Sequence, residues 1–106
     1  MSQLHEIEVS IEEVKEAIAL AEALEKLERS SAFKKVIKKA FIEDQPGRMT
    51  ALFASPDERQ RQAASDVMTA IGKLEVFFNT IHMQGAHARG ALEDLEAAKL
   101  EVIAEE

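Results

Sequence analysis

The chain has 106 residues, a net charge of −7, 46% hydrophobic residues, two prolines, four glycines and no cysteine, tyrosine or tryptophan. That content is too apolar for wholesale disorder and sufficient for one domain, and the missing cysteine excludes disulfides and thiolate metal sites. No apolar run approaches the roughly 20 residues of a membrane span, and the opening MSQLHEIEVS has neither the basic nor the apolar region of a secretory signal.

Ala, Leu, Glu and Lys dominate, so an all-α fold is expected. Charge is unevenly spread. Residues 1–30 carry eight acids and three bases, residues 31–48 five bases and two acids, residues 49–90 four of each, and residues 91–106 six acids and one base. Acidic ends flank a basic middle. Nucleic acid is disfavoured as a partner, because phosphate contact needs a dominant positive surface.

In the first segment Leu4, Ile7, Ile11, Val14, Ile18 and Ala21 recur at alternating steps of three and four, an apolar seam of period 3.5. The next seam position is Glu25, while Leu20, Leu24 and Leu27 continue the apolar pattern, so the buried face is expected to rotate there. Two helix starts compete: one near Gln3, the other at a capping box in SIEE, residues 10–13, with Ser10 and Glu13 satisfying the first N–H groups. Either helix reaches about Arg29.

Ser30 or Ser31 can cap a second helix, which QPG at 45–47 is expected to end through proline restriction and glycine permissiveness. On an α-helical period Phe33, Val36, Ile37, Ala40 and Phe41 share one face, and Lys34, Lys35, Lys38 and Lys39 the opposite one. RMTALFA then supplies Met49, Leu52 and Phe53 on one or two helical turns. SPDE at 55–58 reads as a helix start, with Ser55 as N-cap, Pro56 at the first position and Asp57 and Glu58 at the positive end of the dipole.

From Ala64 the three-four spacing runs through Val67, Ile71, Leu74, Phe78, Ile81, Gly85, Ala88, Leu92, Leu95, Lys99 and Val102, and eleven of these twelve positions are apolar or small. A continuous helix from Pro56 to about Glu105 spans roughly 75 Å, more than a compact domain of this size requires. It implies an antiparallel coiled-coil hairpin with the N-terminal helix, or a homo-oligomer. In the hairpin, Leu4–Ala21 pairs with Ala88–Val102 and two segments of net charge −5 meet. Exposed like charges cost tenths of a kcal/mol, whereas burying each large seam side chain contributes about 1.5–3 kcal/mol, so the hairpin closes. The resulting architecture is a single domain, 1–106. Residues 1–29 and 85–106 form an acidic stalk, and 30–84 a helical head in which one or two short helices cap the hairpin.

IHMQGAHARGAL at 81–92 tests that reading, because it places two histidines and two glycines in the long helix. Gly85 and Ala88 fall on the packing seam with Ile71, Leu74, Phe78 and Ile81, where small residues let another backbone approach. His82 and His87 stand about 140° apart on a regular helix and cannot share one metal ion. Gly90 faces away from the seam and marks a possible kink. There is no phosphate loop, nucleophile elbow, zinc motif or Glu-x-x-His pair, and Glu12/Glu16 and Glu22/Glu25 read as a solvated face. No enzyme, cofactor or metal is expected. Lys34, Lys35, Lys38 and Lys39 form the candidate partner surface. They either face acids of the first helix or dock an acidic protein or phosphate, without the aromatic or arginine groups that read a nucleic-acid sequence.

FKKVIKKAFIED, RMTALFASPDERQRQ and AIGKLEVFFNTIHMQG resemble a group of small helical proteins of tailed bacteriophages, encoded near capsid and portal genes, over roughly residues 20–90. The resemblance implies a role in the virion or its assembly, with synthesis in the host cytoplasm, and carries over no site residues. The acidic tail departs from scaffolding-type proteins, which often end in a basic capsid-binding helix. Three functions follow as expectations. The first is a non-enzymatic virion structural or assembly protein, associating with itself and another virion or host protein. The second is a small acidic effector that occupies a basic groove on a host protein, and the third a packaging factor that binds nucleic acid through the four lysines.

Overall fold

The structure, a computed structural model, describes residues 2–105; Met1 and Glu106, the outermost residues of the acidic segments, lie outside the described residues. The described residues are helical with no strand: α1 (Gln3–Arg29), a single turn α2 (Ser31–Phe33), a π-helix (Lys34–Glu43), α3 (Gln45–Phe53) and α4 (Glu58–Glu105). The all-α hairpin expected from the two seams is what forms, with α4 packed antiparallel on α1. The chain divides into two compact units, Met1–Glu25 with Asn79–Glu106, and Lys26–Phe78.

In the first unit, α1 begins at Gln3 because Ser2 caps it: His5 N–H donates to Ser2 Oγ at 3.1 Å and Glu6 N–H to the Ser2 carbonyl at 3.3 Å. Ser10 therefore sits in mid-helix, and the alternative start at residues 10–13 is not used. Ile11, Ala21 and Leu24 of α1 are buried with Ile81, Gly85 and Ala88 of α4, while Leu4, Ile7, Val14 and Ile18 and the α4 positions Leu92, Leu95, Lys99 and Val102 are half-buried. Partial burial is what a two-helix hairpin provides, since each helix covers one stripe of the other.

Gly85 sets the distance between the helices. A Cβ there would collide with the Ala21 side chain, and it would lie 3.8 Å from Ala21 Cα and 3.9 Å from the Ala17 carbonyl oxygen. α4 is continuous through Gly85 and Gly90, and neither glycine interrupts it.

The anticipated rotation of the α1 face forms only in part. Leu20 and Leu27 are 52% and 50% exposed, and of the three leucines Leu24 alone is buried. Glu25, the next position of the original seam, is tolerated at its edge because Arg89 Nη2 lies 3.6 Å from its carboxylate. Side chains lean toward the N-terminus of their own helix. In an antiparallel pair Glu25 and Arg89 therefore lean toward the same level, that of Ala21 and Gly85. Lys99, the charged exception in the α4 seam, has its Nζ 3.7 Å from Glu8 Oε1.

The second unit opens with Ser30, whose hydroxyl donates to the Leu27 carbonyl at 2.7 Å and accepts from Phe33 N–H at 3.2 Å. One side chain thus ends α1 and caps α2, leaving Ser31 without that role. The following turns close i→i+5, as in the 2.9 Å bond from Asp44 N–H to the Lys39 carbonyl, so residues four to five apart stack. Phe33 is buried and Ile37, Phe41 and Ile42 half-buried, in keeping with that wider turn. Val36 and Ala40, which an α-helical count places inward, are exposed.

The second helical segment ends at Glu43, just ahead of QPG, as expected, but QPG itself opens a new helix rather than a loop. Asp44 is a one-residue junction, and Pro46 occupies the first turn of α3, where its missing N–H would be unpaired in any helix. No glycine among the described residues has positive φ. In α3 Met49 is buried and Leu52 half-buried, but Phe53 is exposed. The start of α4 also shifts. Asp57, not Ser55, is the N-cap: its Oδ1 accepts from Arg59 N–H at 2.9 Å, and its carbonyl accepts from Gln60 and Arg61 N–H at 3.1 and 3.2 Å. Ser55 Oγ accepts from Asp57 N–H at 3.1 Å and bonds Gln60 Oε1, and the Arg61 guanidinium donates to the Ser55 carbonyl at 2.8 Å. The serine therefore organises the entry turn, and the helix begins at Glu58. Ala64 and Ile71 are buried, Val67, Leu74 and Phe78 half-buried. Phe33 stacks on Phe78 with ring centroids 5.7 Å apart and a 55° tilt, a geometry that adds about 0.5–1.5 kcal/mol beyond area burial.

Candidate functional site

The four lysines that the sequence grouped remain exposed together on the π-helix. Lys39 is paired within its own segment, its Nζ donating to Asp44 Oδ1 at 2.9 Å, rather than with acids of α1. The hydrogen bond to the Asp44 carboxylate, reinforced by its charge, raises the ammonium above its ordinary value of 10.5. An i,i+5 pair meets here because the π-turn brings Lys39 and Asp44 into line. Among the described residues Lys34, Lys35 and Lys38 make no ion pair. The surface therefore presents three unneutralised ammonium groups, and Val36 and Ala40 of the same segment are exposed as well.

The seam residues Ile71, Leu74, Phe78, Ile81, Gly85 and Ala88 are all buried or half-buried. They are scaffold rather than contact surface. His82 is half-buried and His87 exposed on α4, and among the described residues no group of three or more His, Cys, Asp or Glu is placed to hold a metal ion.

A feature outside the sequence-derived set lies in the first unit. Beside the Ala21–Gly85 contact runs an open, mostly apolar groove of about 510 Å³, floored by Val14 and Ala17 of α1 and Met83 and Ala88 of α4. Glu13, Gln84 and His87 supply its polar lining. The groove follows from residue size. Alanines at 17 and 88 leave a depression where larger side chains would fill the angle between two closely approached helices. Met83 is 64% exposed, and Asn79 Nδ2 donates to its sulfur at 3.5 Å. Leu20, 52% exposed, is one helical turn from Ala17 and lengthens the apolar strip. The pattern Ala17–Leu20 beside the main seam was the available sequence signal, but assigning Leu20 to a rotated core concealed it.

Charge separates with the two units. The first holds thirteen acids and three bases, a net −10, and the second seven acids and ten bases, a net +3. No described helix is long and apolar enough to cross a membrane. Comparison of the chain with protein families, with curated proteins and with solved structures finds no match.

Proposed function

We propose that the protein is a non-enzymatic structural or assembly protein of a tailed-phage particle, working by helix-on-helix docking with itself and with another particle protein. One observation carries the reading. The seams of α1 and α4 in the first unit are satisfied within the chain, yet Met83 and Leu100 of that unit remain 64% and 68% exposed, and Phe77 of the second unit 58%. Covering such a side chain against a partner contributes about 1.5–3 kcal/mol, the gain that docking would draw on. Placing that interaction in a phage particle rests on the resemblance of roughly residues 20–90 in sequence alone. Light scattering behind a sizing column at moderate salt is expected to give a discrete oligomer, and purified particles to contain the chain. A monodisperse monomer absent from particles overturns the reading.

The charge separation favours a second reading, a small acidic effector that occupies a basic groove on a host protein. A net −10 on the first unit steers association with basic surfaces and makes it salt-dependent. Host complexes that bind the chain equally at low and high salt count against it.

A further inference from the structure

We infer that the α1–α4 groove is a docking site for one basic amphipathic α-helix of another protein. This deepens the interaction reading, on which it rests, by naming the site and its occupant. A groove between two helices, floored by Val14, Ala17, Met83 and Ala88, is the shape that receives the apolar face of a third helix. The methionine adapts to side chains of different shape.

Charge selects among occupants. The groove carries Glu13 and belongs to the unit of net charge −10. A second copy of the hairpin would add no charge complementarity to the apolar contact, whereas a basic occupant adds attraction to it within the Debye length of about 8 Å at physiological salt. The chain's own basic helical segment, Lys34–Glu43 and the turn before it, already uses apolar residues in its own unit, where Phe33 is buried and stacked on Phe78. An occupant from a different chain, with leucine-like residues at i, i+3, i+4 and i+7 and lysine or arginine on the flanks, satisfies both the floor and the acidic setting.

The test is a titration of the full chain, followed by amide NMR at moderate salt, with a synthetic 18-residue Leu/Lys peptide of helical amphipathic pattern. A peptide of the same composition, scrambled to remove the apolar stripe, is the control. The amphipathic peptide is expected to bind more than tenfold tighter than the scrambled one, with shifts concentrated at Val14, Ala17, Met83 and Ala88. Met83→Lys and Glu13→Lys, both at exposed positions and therefore harmless to folding, are each expected to weaken it several-fold, and together more than tenfold. Equal binding of the two peptides means adsorption to the acidic surface and overturns the proposal. So do shifts centred elsewhere, or affinity unchanged in the double variant. A chain that oligomerises and enters particles but ignores the peptide refutes the groove alone. A chain that binds the peptide in the groove, yet is monomeric and absent from particles, refutes the assembly reading alone.

Discussion

The two units solve the same problem with different means. The unit of Met1–Glu25 and Asn79–Glu106 brings two regular α-helices so close that Gly85 has no room for a Cβ. Its cross-helix ion pairs, Glu25–Arg89 and Glu8–Lys99, engage two of the unit's three basic side chains. The unit of Lys26–Phe78 uses short segments, junctions capped by Ser30 and Asp57, and an aromatic contact between Phe33 and Phe78. Small residues at a helical seam buy proximity at the cost of side-chain area, and the hairpin is left with a groove beside its contact line. Larger side chains in the second unit fill the space between segments without needing a single repeat. A regular seam and an open groove beside it thus have one origin, the alanines and glycine that allow close approach.

The largest expected effects test whether the hairpin depends on that seam. Ile81→Ala, at a position 5% exposed, is expected to cost about 2–5 kcal/mol through lost burial and a cavity. Val36→Ala, at a position 58% exposed, is expected to stay within about 0.5 kcal/mol. Urea denaturation midpoints measure both, and equal losses would erase the distinction between core and surface drawn here.

Next in size is the glycine pair. Gly85→Leu forces atoms into Ala21 and is expected to cost at least the 1–3 kcal/mol or so typical of overpacking. Gly90→Ala meets nothing within 4 Å and removes a flexible residue from a helix, so it is expected to stabilise by about 0.5–1 kcal/mol. Thermal melts of the two variants should move in opposite directions.

The second unit is probed by its caps. Asp57→Ala removes the acceptor for Arg59 N–H and is expected to cost about 1 kcal/mol. Ser55→Ala tests the sequence-derived assignment, since a larger loss there than at Asp57 would return the cap to the serine. Smaller still is the Glu8–Lys99 contact, for which a double-mutant cycle is expected to give a coupling of about 0.2–1 kcal/mol that falls with salt.

The smallest effect is the pH dependence of Lys39. Its value is raised by Asp44 in the folded chain, so the contribution is fully present below the ordinary 10.5 and is lost as pH rises through the raised value. The difference in melting temperature between the parent chain and Asp44→Asn is therefore expected to be constant from pH 7 to 9 and to shrink only above about pH 10.5.

The long helix was legible because its signal is redundant. Every α4 seam position from Ala64 to Val102 is buried or half-buried, including Lys99, which a sequence reading marks as an exception and the structure supplies with Glu8. Local chemistry was legible in part at Ser30, one of two serines the sequence offered as the cap of the second helix. It was misread where two residues compete, as at Ser55 and Asp57, because both offer an oxygen to the same orphan N–H groups and backbone geometry decides between them. The face of the Lys34–Glu43 segment was misread for another reason. The count assumed i→i+4 turns, and an i→i+5 turn moves Val36 and Ala40 outward without any change of composition.

By itself, then, the sequence determined the helical class, the seam of each long helix, and the concentration of negative charge at both ends of the chain. These depend on residue type and spacing, which a linear pattern records. The tertiary structure alone decided that Leu20 faces water, that Glu25 is held by Arg89, and that the alanines at 17 and 88 border a groove. Each of these depends on how near a second helix comes, and that distance was set by one missing Cβ at Gly85.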